Sequence, residues 1–156
     1  QGSQPIIGYN YGAQNYHRMF ETLRLSAIIA TILSSVGFFI GMFFPEEAVS
    51  LFTTDKELMN IAASAQRITV IMFPIIGFQV VVSNFFQSIG KAKLSILLSL
   101  TRQFIFLVPA IIILPPLFGL NGAWAAMPVS DGLASIVSII TFLIFYKKFK
   151  LRTHNQ

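Results

Sequence analysis

Four long, almost unbroken apolar stretches, at residues 23–44, 67–89, 94–117 and 123–146, alternate with short polar or turn-forming breaks. An α-helix rises 1.5 Å per residue, so about 20 apolar residues cross the roughly 30 Å hydrocarbon core of a bilayer. Each stretch meets that length. All four are too long for membrane strands and lack the strict alternation of a barrel. Hydrocarbon leaves backbone polar groups only internal partners, so helices remain. The breaks carry turn chemistry: Pro45 after the first stretch, Gly90 after the second, Pro115 and Pro116 at the end of the third, Gly119 to Gly122 before the fourth. The expected fold is an all-α membrane protein, a polytopic transmembrane helix bundle of four complete spans joined by short turns. Residues 1–24 read as the end of a truncated helix and a cytoplasmic loop, 25–146 as the four spans and 147–156 as a basic cytoplasmic tail. Residues 46–65 are polar enough to leave the membrane as a short amphipathic interfacial helix.

Polar positions inside the spans are not scattered. At about 100° per residue, Gln79, Ser83, Gln87 and Gly90 share one arc bordered by Asn84. Ser95, Ser99, Arg102 and Gln103 do the same in the third span, and Asp131, Ser135 and Ser138 in the fourth. The first span instead carries a small-residue stripe, Ala27, Ala30, Ser34, Gly37 and Gly41, which permits close helix approach. Two readings of the polar faces stand: interhelical hydrogen bonds that seal the packing, or the lining of a water-filled substrate pathway, for which Gln79, Ser83, Asn84 and Gln87 are the candidates.

Two charges lie deep in the membrane. Counting residues, Arg102 sits on the order of 12 Å above one face and Asp131 a similar distance below the other, a vertical gap of roughly 6 Å in a 30 Å core. An ion pair between them is one expectation. The other is that Asp131, with Arg102 beside it, couples an ion, because a buried carboxylate can take up H⁺ or Na⁺. Arg67, at a span end, is expected to snorkel to the interface, with pairing to Asp131 as the alternative. Pro74, Pro109 and Pro128 each remove a backbone hydrogen bond inside a span, so each is a kink candidate, moving or static. A kink at Pro128 would free a carbonyl next to the buried acid.

Composition then narrows the function. The chain is 54% hydrophobic and 11% charged, where a soluble domain has about 25% charged residues, so a bilayer is the expected solvent. Sixteen Phe residues agree, since apolar rings face lipid without penalty. The net charge of +5 comes from short basic segments between spans, which argues against nucleic acid and for an orientation signal. Arg18 and Arg24, then Lys91 and Lys93, then Lys147, Lys148, Lys150 and Arg152 fall on one side, while Glu46, Glu47, Asp55 and Glu57 fall on the other. The C-terminus is therefore expected in the cytoplasm of a multi-pass protein. No Cys occurs, His17 and His154 stand apart from acid clusters, no phosphate-binding glycine loop is found, and the deep segments hold no His. Neither a resident metal, nor a bound cofactor, nor an enzyme is expected.

The opening Gln-Gly-Ser-Gln-Pro-Ile-Ile-Gly-Tyr-Asn-Tyr-Gly-Ala resembles a helix exit found in bacterial transporters of the multidrug and toxic compound extrusion (MATE) family, where a Gln-Pro-x-x-Gly-Tyr-Asn-x-Gly-Ala string recurs. Further strings follow in the family's order: Phe73-Pro74, Gln87-Ser88-Ile89-Gly90-Lys91, Arg102, and Gly119-Leu120-Asn121-Gly122-Ala123-Trp124 leading to Pro128 and Asp131. The resemblance implies the ninth to twelfth helices of a twelve-helix antiporter in a bacterial inner membrane. Such a protein exports drugs or other amphipathic organic cations in exchange for H⁺ or Na⁺. The start at Gln1, without a Met, reads as a fragment whose partner is a missing N-terminal lobe of the same protein. A lipid-linked oligosaccharide flippase of the same superfamily and a non-transporting four-helix scaffold are the alternatives.

Overall fold

The structure, a computed structural model, describes residues 2–153, with side chains for residues 2–150. Its helices begin where capping chemistry permits. Pro5 opens α1 (Gln4–Gly12), and the chain then turns through Gln14 at φ 56°. The Asn15 side chain accepts from the Arg18 N–H at 3.5 Å and starts α2 (Tyr16–Phe43). Because this cap lies so early, residues 16–24 are not the expected loop but the first turns of α2. Pro45 ends α2 and opens the short α3 (Pro45–Ser50). Asp55 caps α4 (Lys56–Thr69), accepting from Glu57 N–H at 2.9 Å and Leu58 N–H at 3.3 Å. The single interfacial helix expected at 46–65 is thus two pieces, one of which runs on into the membrane.

The prolines act through the turns before them. A 3₁₀ turn, Val70–Met72, joins α4 to α5 (Phe73–Ser88), with the Phe73 N–H donating to the Val70 carbonyl. Pro74 cannot donate to that carbonyl, so the turn tightens by one residue. Past Gly90, at φ 75°, lies α6 (Ala92–Leu100), followed by a π-helical segment, Thr101–Leu107, and α7 (Val108–Thr153). The π segment widens the turn before Pro109, whose ring would crowd the carbonyl four residues back and whose missing N–H leaves it without a donor. Within α7 only Gly119 leaves helical geometry, at φ 60° and ψ −140°. Pro128 lies inside unbroken helical dihedrals, because its neighbours absorb one missing bond without reversing the chain.

Three runs are long and apolar enough to cross a membrane: Tyr16–Phe43, Lys56–Ser88 and Ala92–Lys150. The third makes two passes. Lys91 Nζ stands 4.6 Å over the Phe145 ring, Arg102 meets Asp131 at 2.6 Å, and Gly122 lies against the Leu114 carbonyl. These contacts nest about Gly119 as in an antiparallel hairpin. Four crossings result. Helix α2 runs antiparallel to the 3₁₀ turn and α5, with Gly77 against Ala30 and Ser34, Gly37 against Phe73, and Gly41 against Val70. The small stripe of α2 therefore does what close packing in lipid requires, where van der Waals contact replaces the hydrophobic effect.

An aromatic core closes one end of the bundle. Phe85 and Phe86 are fully buried, with Ile7, Met19, Val82 and Phe145 around them. Edge-to-face pairs join Phe86 to Phe145, Phe20 to Tyr146 and Tyr16 to Phe149 at 5.4, 5.2 and 4.7 Å between ring centres. The Phe residues are thus not all lipid-facing, as composition alone suggested. The same contacts gather Tyr16, Lys91 and Phe149 at one end, so the basic segments share it. The opposite end of α2 leads to Glu46 and Glu47. Lys147, Lys148 and Lys150 continue α7 rather than forming a separate tail, since nothing before Thr153 breaks the helix. The Arg152 side chain, Gln1 and residues 154–156, with His154, lie outside the described residues.

Candidate functional site

Midway along the α6–α7 hairpin, Arg102 Nε donates to Asp131 Oδ1 at 2.6 Å. The two partners differ in exposure: 40% of the Arg102 side chain is accessible against 6% of that of Asp131. Arg102 lies within the π segment. One extra residue in the turn advances the ring of side chains, and the guanidinium reaches across to α7. Asp131 sits on the buried stripe Ala126, Ser130, Asp131, Ala134, Ser135 and Ser138, whose mostly small side chains let α7 close on its neighbours.

A polar ladder extends from this pair. Ser135 Oγ lies 2.7 Å from the Asp131 carbonyl oxygen and 3.1 Å from Gln79 Oε1. A hydroxyl carries one hydrogen, so it cannot donate to both. With the Gln79 amide turned, Gln79 donates to Ser135 and Ser135 donates to the Asp131 carbonyl, so each of the two contacts has its own hydrogen. Ser83 and Ser95 hydroxyls join α5 to α6 at 3.1 Å.

Beside the ladder is a cavity of about 240 Å³ between α5, α6, the π segment and α7, lined by Gln79, Ser83, Asn84, Ser99, Arg102, Gln103 and Ser138 together with Val80 and Leu98. No carboxylate lines it. Three of the four pathway positions, Gln79, Ser83 and Asn84, thus meet in one place. Gln87 does not; it lies exposed beyond the cavity, and its Oε1 accepts from Gln4 Nε2 at 3.3 Å. Its arc is continuous with Gln79, but α1 covers that end of α5. Arg67 is exposed at the end of α4 and makes no ion pair among the described residues. Ser138 belongs to a stripe visible in the sequence. Its role as the one fully buried side-chain oxygen without a partner among the described residues does not. No cluster of three or more metal-ligating side chains occurs among the described residues.

A sequence model of the MatE family matches residues 1–113. The chain belongs to the MatE family. At 20% identity over 152 residues it is similar to the multidrug export protein MepA of Staphylococcus haemolyticus strain JCSC1435, covering 97% of this chain and 32% of that protein. Among solved structures, a chain described as protein A is 43% identical, covers 90% of this chain and 32% of its own length, and superposes with a TM-score of 0.84. A MATE in complex with MaL6 is 21% identical with a TM-score of 0.86, over 95% of this chain and 34% of its own. The chain spans about a third of the length of these relatives. Family and apolar helices together make it a multi-pass membrane protein and part of a transporter fold.

Proposed function

We propose that the chain is part of the C-terminal lobe of a secondary active antiporter that exports drugs or other amphipathic organic compounds, organic cations among them, in exchange for H⁺ or Na⁺. The observation that carries this reading is Asp131, a carboxylate almost wholly buried within an apolar membrane-length run, whose one strong partner, Arg102, is itself partly accessible. Membership of the MatE family and the likeness to a multidrug export protein support it.

The chemistry follows from what a buried carboxylate needs. Its charge must be offset, here by Arg102, or by H⁺ or Na⁺ in its place. Arrival of the ion at Asp131 releases the guanidinium toward the cavity, and departure of the ion draws it back. Ion occupancy is thereby tied to the charge presented to the cavity, and the coupling is reciprocal, as any linkage between two sites must be. A second lobe of the same protein supplies the opposing wall of the pathway, and the basic end of the bundle faces the cytoplasm of a bacterial inner membrane.

The reading is tested in drug-sensitive bacteria expressing the full-length protein. Asp131→Asn is expected to abolish most of the resistance and its dependence on the ion gradient while the protein still reaches the membrane. Resistance equal to wild type, with the same ion dependence, would remove Asp131 from the mechanism.

A further inference from the structure

The cavity beside Asp131 has a polarity of its own. Arg102 uses only Nε for the ion pair, and among the described residues its Nη groups make no hydrogen bond. A guanidinium has five N–H donors, so four remain, two of them side by side on the Nη1–Nη2 edge that matches a carboxylate. Arg102 lines the cavity and Asp131 does not. At the other end stands Ser138, 1% exposed, its Oγ without a partner, also lining the cavity. A buried hydroxyl left unpaired carries a desolvation cost that a ligand atom would relieve. The rest of the lining carries no charge: amides and hydroxyls, among them Gln79, Asn84 and Ser99, with the apolar Val80 and Leu98.

We infer that this cavity binds a small organic carboxylate, with its carboxylate on the Nη edge of Arg102 and a second polar atom at its far end on the Ser138 hydroxyl. Asp131 and Ser138 are two turns of α7 apart, about 10 Å at 1.5 Å per residue. One aromatic ring with a polar group at each end spans that separation once a hydrogen bond is added at each end. A cation of the same shape finds no acceptor on the Nη edge and binds more weakly there. The inference concerns binding to this cavity and stands whether or not ion coupling runs through Asp131.

The test compares 4-hydroxybenzoate, 4-hydroxybenzamide and 4-hydroxybenzamidine, alike in shape and differing in charge, by calorimetry on the full-length protein in nanodiscs, with protein-free nanodiscs subtracted. The carboxylate is expected to bind at least tenfold more tightly than the amidine, with the amide between. Ser138→Ala is expected to leave thermal stability unchanged or raised and to weaken 4-hydroxybenzoate about tenfold. The paired substitution Arg102→Gln with Asp131→Asn, which leaves no lone buried charge, is expected to bring the carboxylate down to the affinity of the amide. Binding of the amidine as tight as that of the carboxylate, or an unchanged affinity in Ser138→Ala, would overturn the proposal.

Discussion

Asp131 and Arg102 hold each other in unequal surroundings, and the inequality predicts what their loss does. Removing one member of a fully buried pair costs roughly 3–5 kcal/mol, because the other charge is left without compensation. Arg102 is 40% accessible, so water relieves part of that penalty, and about 1–3 kcal/mol is expected for Asp131→Asn or Arg102→Gln. The two losses are expected to be non-additive, the double variant being more stable than their sum predicts, in a double-mutant cycle of thermal unfolding in lipid nanodiscs. Strict additivity would show that the pair does not interact. Gly77 offers a packing test: a Cβ there would stand 2.6 Å from the Ala30 carbonyl oxygen and collide with Ser34. Gly77→Ala is expected to cost on the order of 1–3 kcal/mol by forcing α2 and α5 apart, measured by the same unfolding assay.

The elements show where the proline positions find their effect. Pro109 sets the π segment and so the azimuth of Arg102; Pro109→Ala restores a donor, and the turn is expected to relax to α-helix. Side chains then rotate relative to α7, and the Arg102–Asp131 coupling energy is expected to fall, read in the same cycle built on the Pro109→Ala background. An unchanged coupling energy would detach the ion pair from the π turn. Span lengths were legible in the sequence because hydrophobic length is a one-dimensional quantity, and the Arg102–Asp131 meeting because depth in a membrane follows from residue counts. What faces what is a matter of azimuth, and that depends on neighbours. Hence Phe85 and Phe86 read like any lipid-facing ring until α1 and α7 cover them, and Gln87 shares an arc with Gln79 yet lies past the cavity. The π turn was also hidden, since Pro109 announces a missing hydrogen bond without saying whether the helix kinks, tightens as before Pro74, or widens. Ser138 lay within a visible stripe, but an orphaned hydroxyl is defined by the absence of partners on other helices.

At the scale of the whole molecule, two ends of opposite character organise the account. Lys91 and the neighbours of Phe149 share the aromatic end, and Glu46 and Glu47 follow the far end of α2. The chain contains no Cys, so a single cysteine placed in it is the one thiol of this part of the protein, and the parent protein without it serves as the background control. In intact cells, Lys148→Cys is expected to resist a membrane-impermeant maleimide and Glu47→Cys to react with it; labelling of both from outside would refute the orientation. The larger claim is that an ion at Asp131 drives export. Proteoliposomes holding the full-length protein and a fluorescent organic substrate test it directly, by the change in substrate flux when an H⁺ or Na⁺ gradient is imposed. Wild type is expected to respond to one of the two gradients, and Asp131→Asn to bind substrate yet show no gradient-driven flux. A variant whose flux rises with the gradient as much as that of wild type would contradict the account.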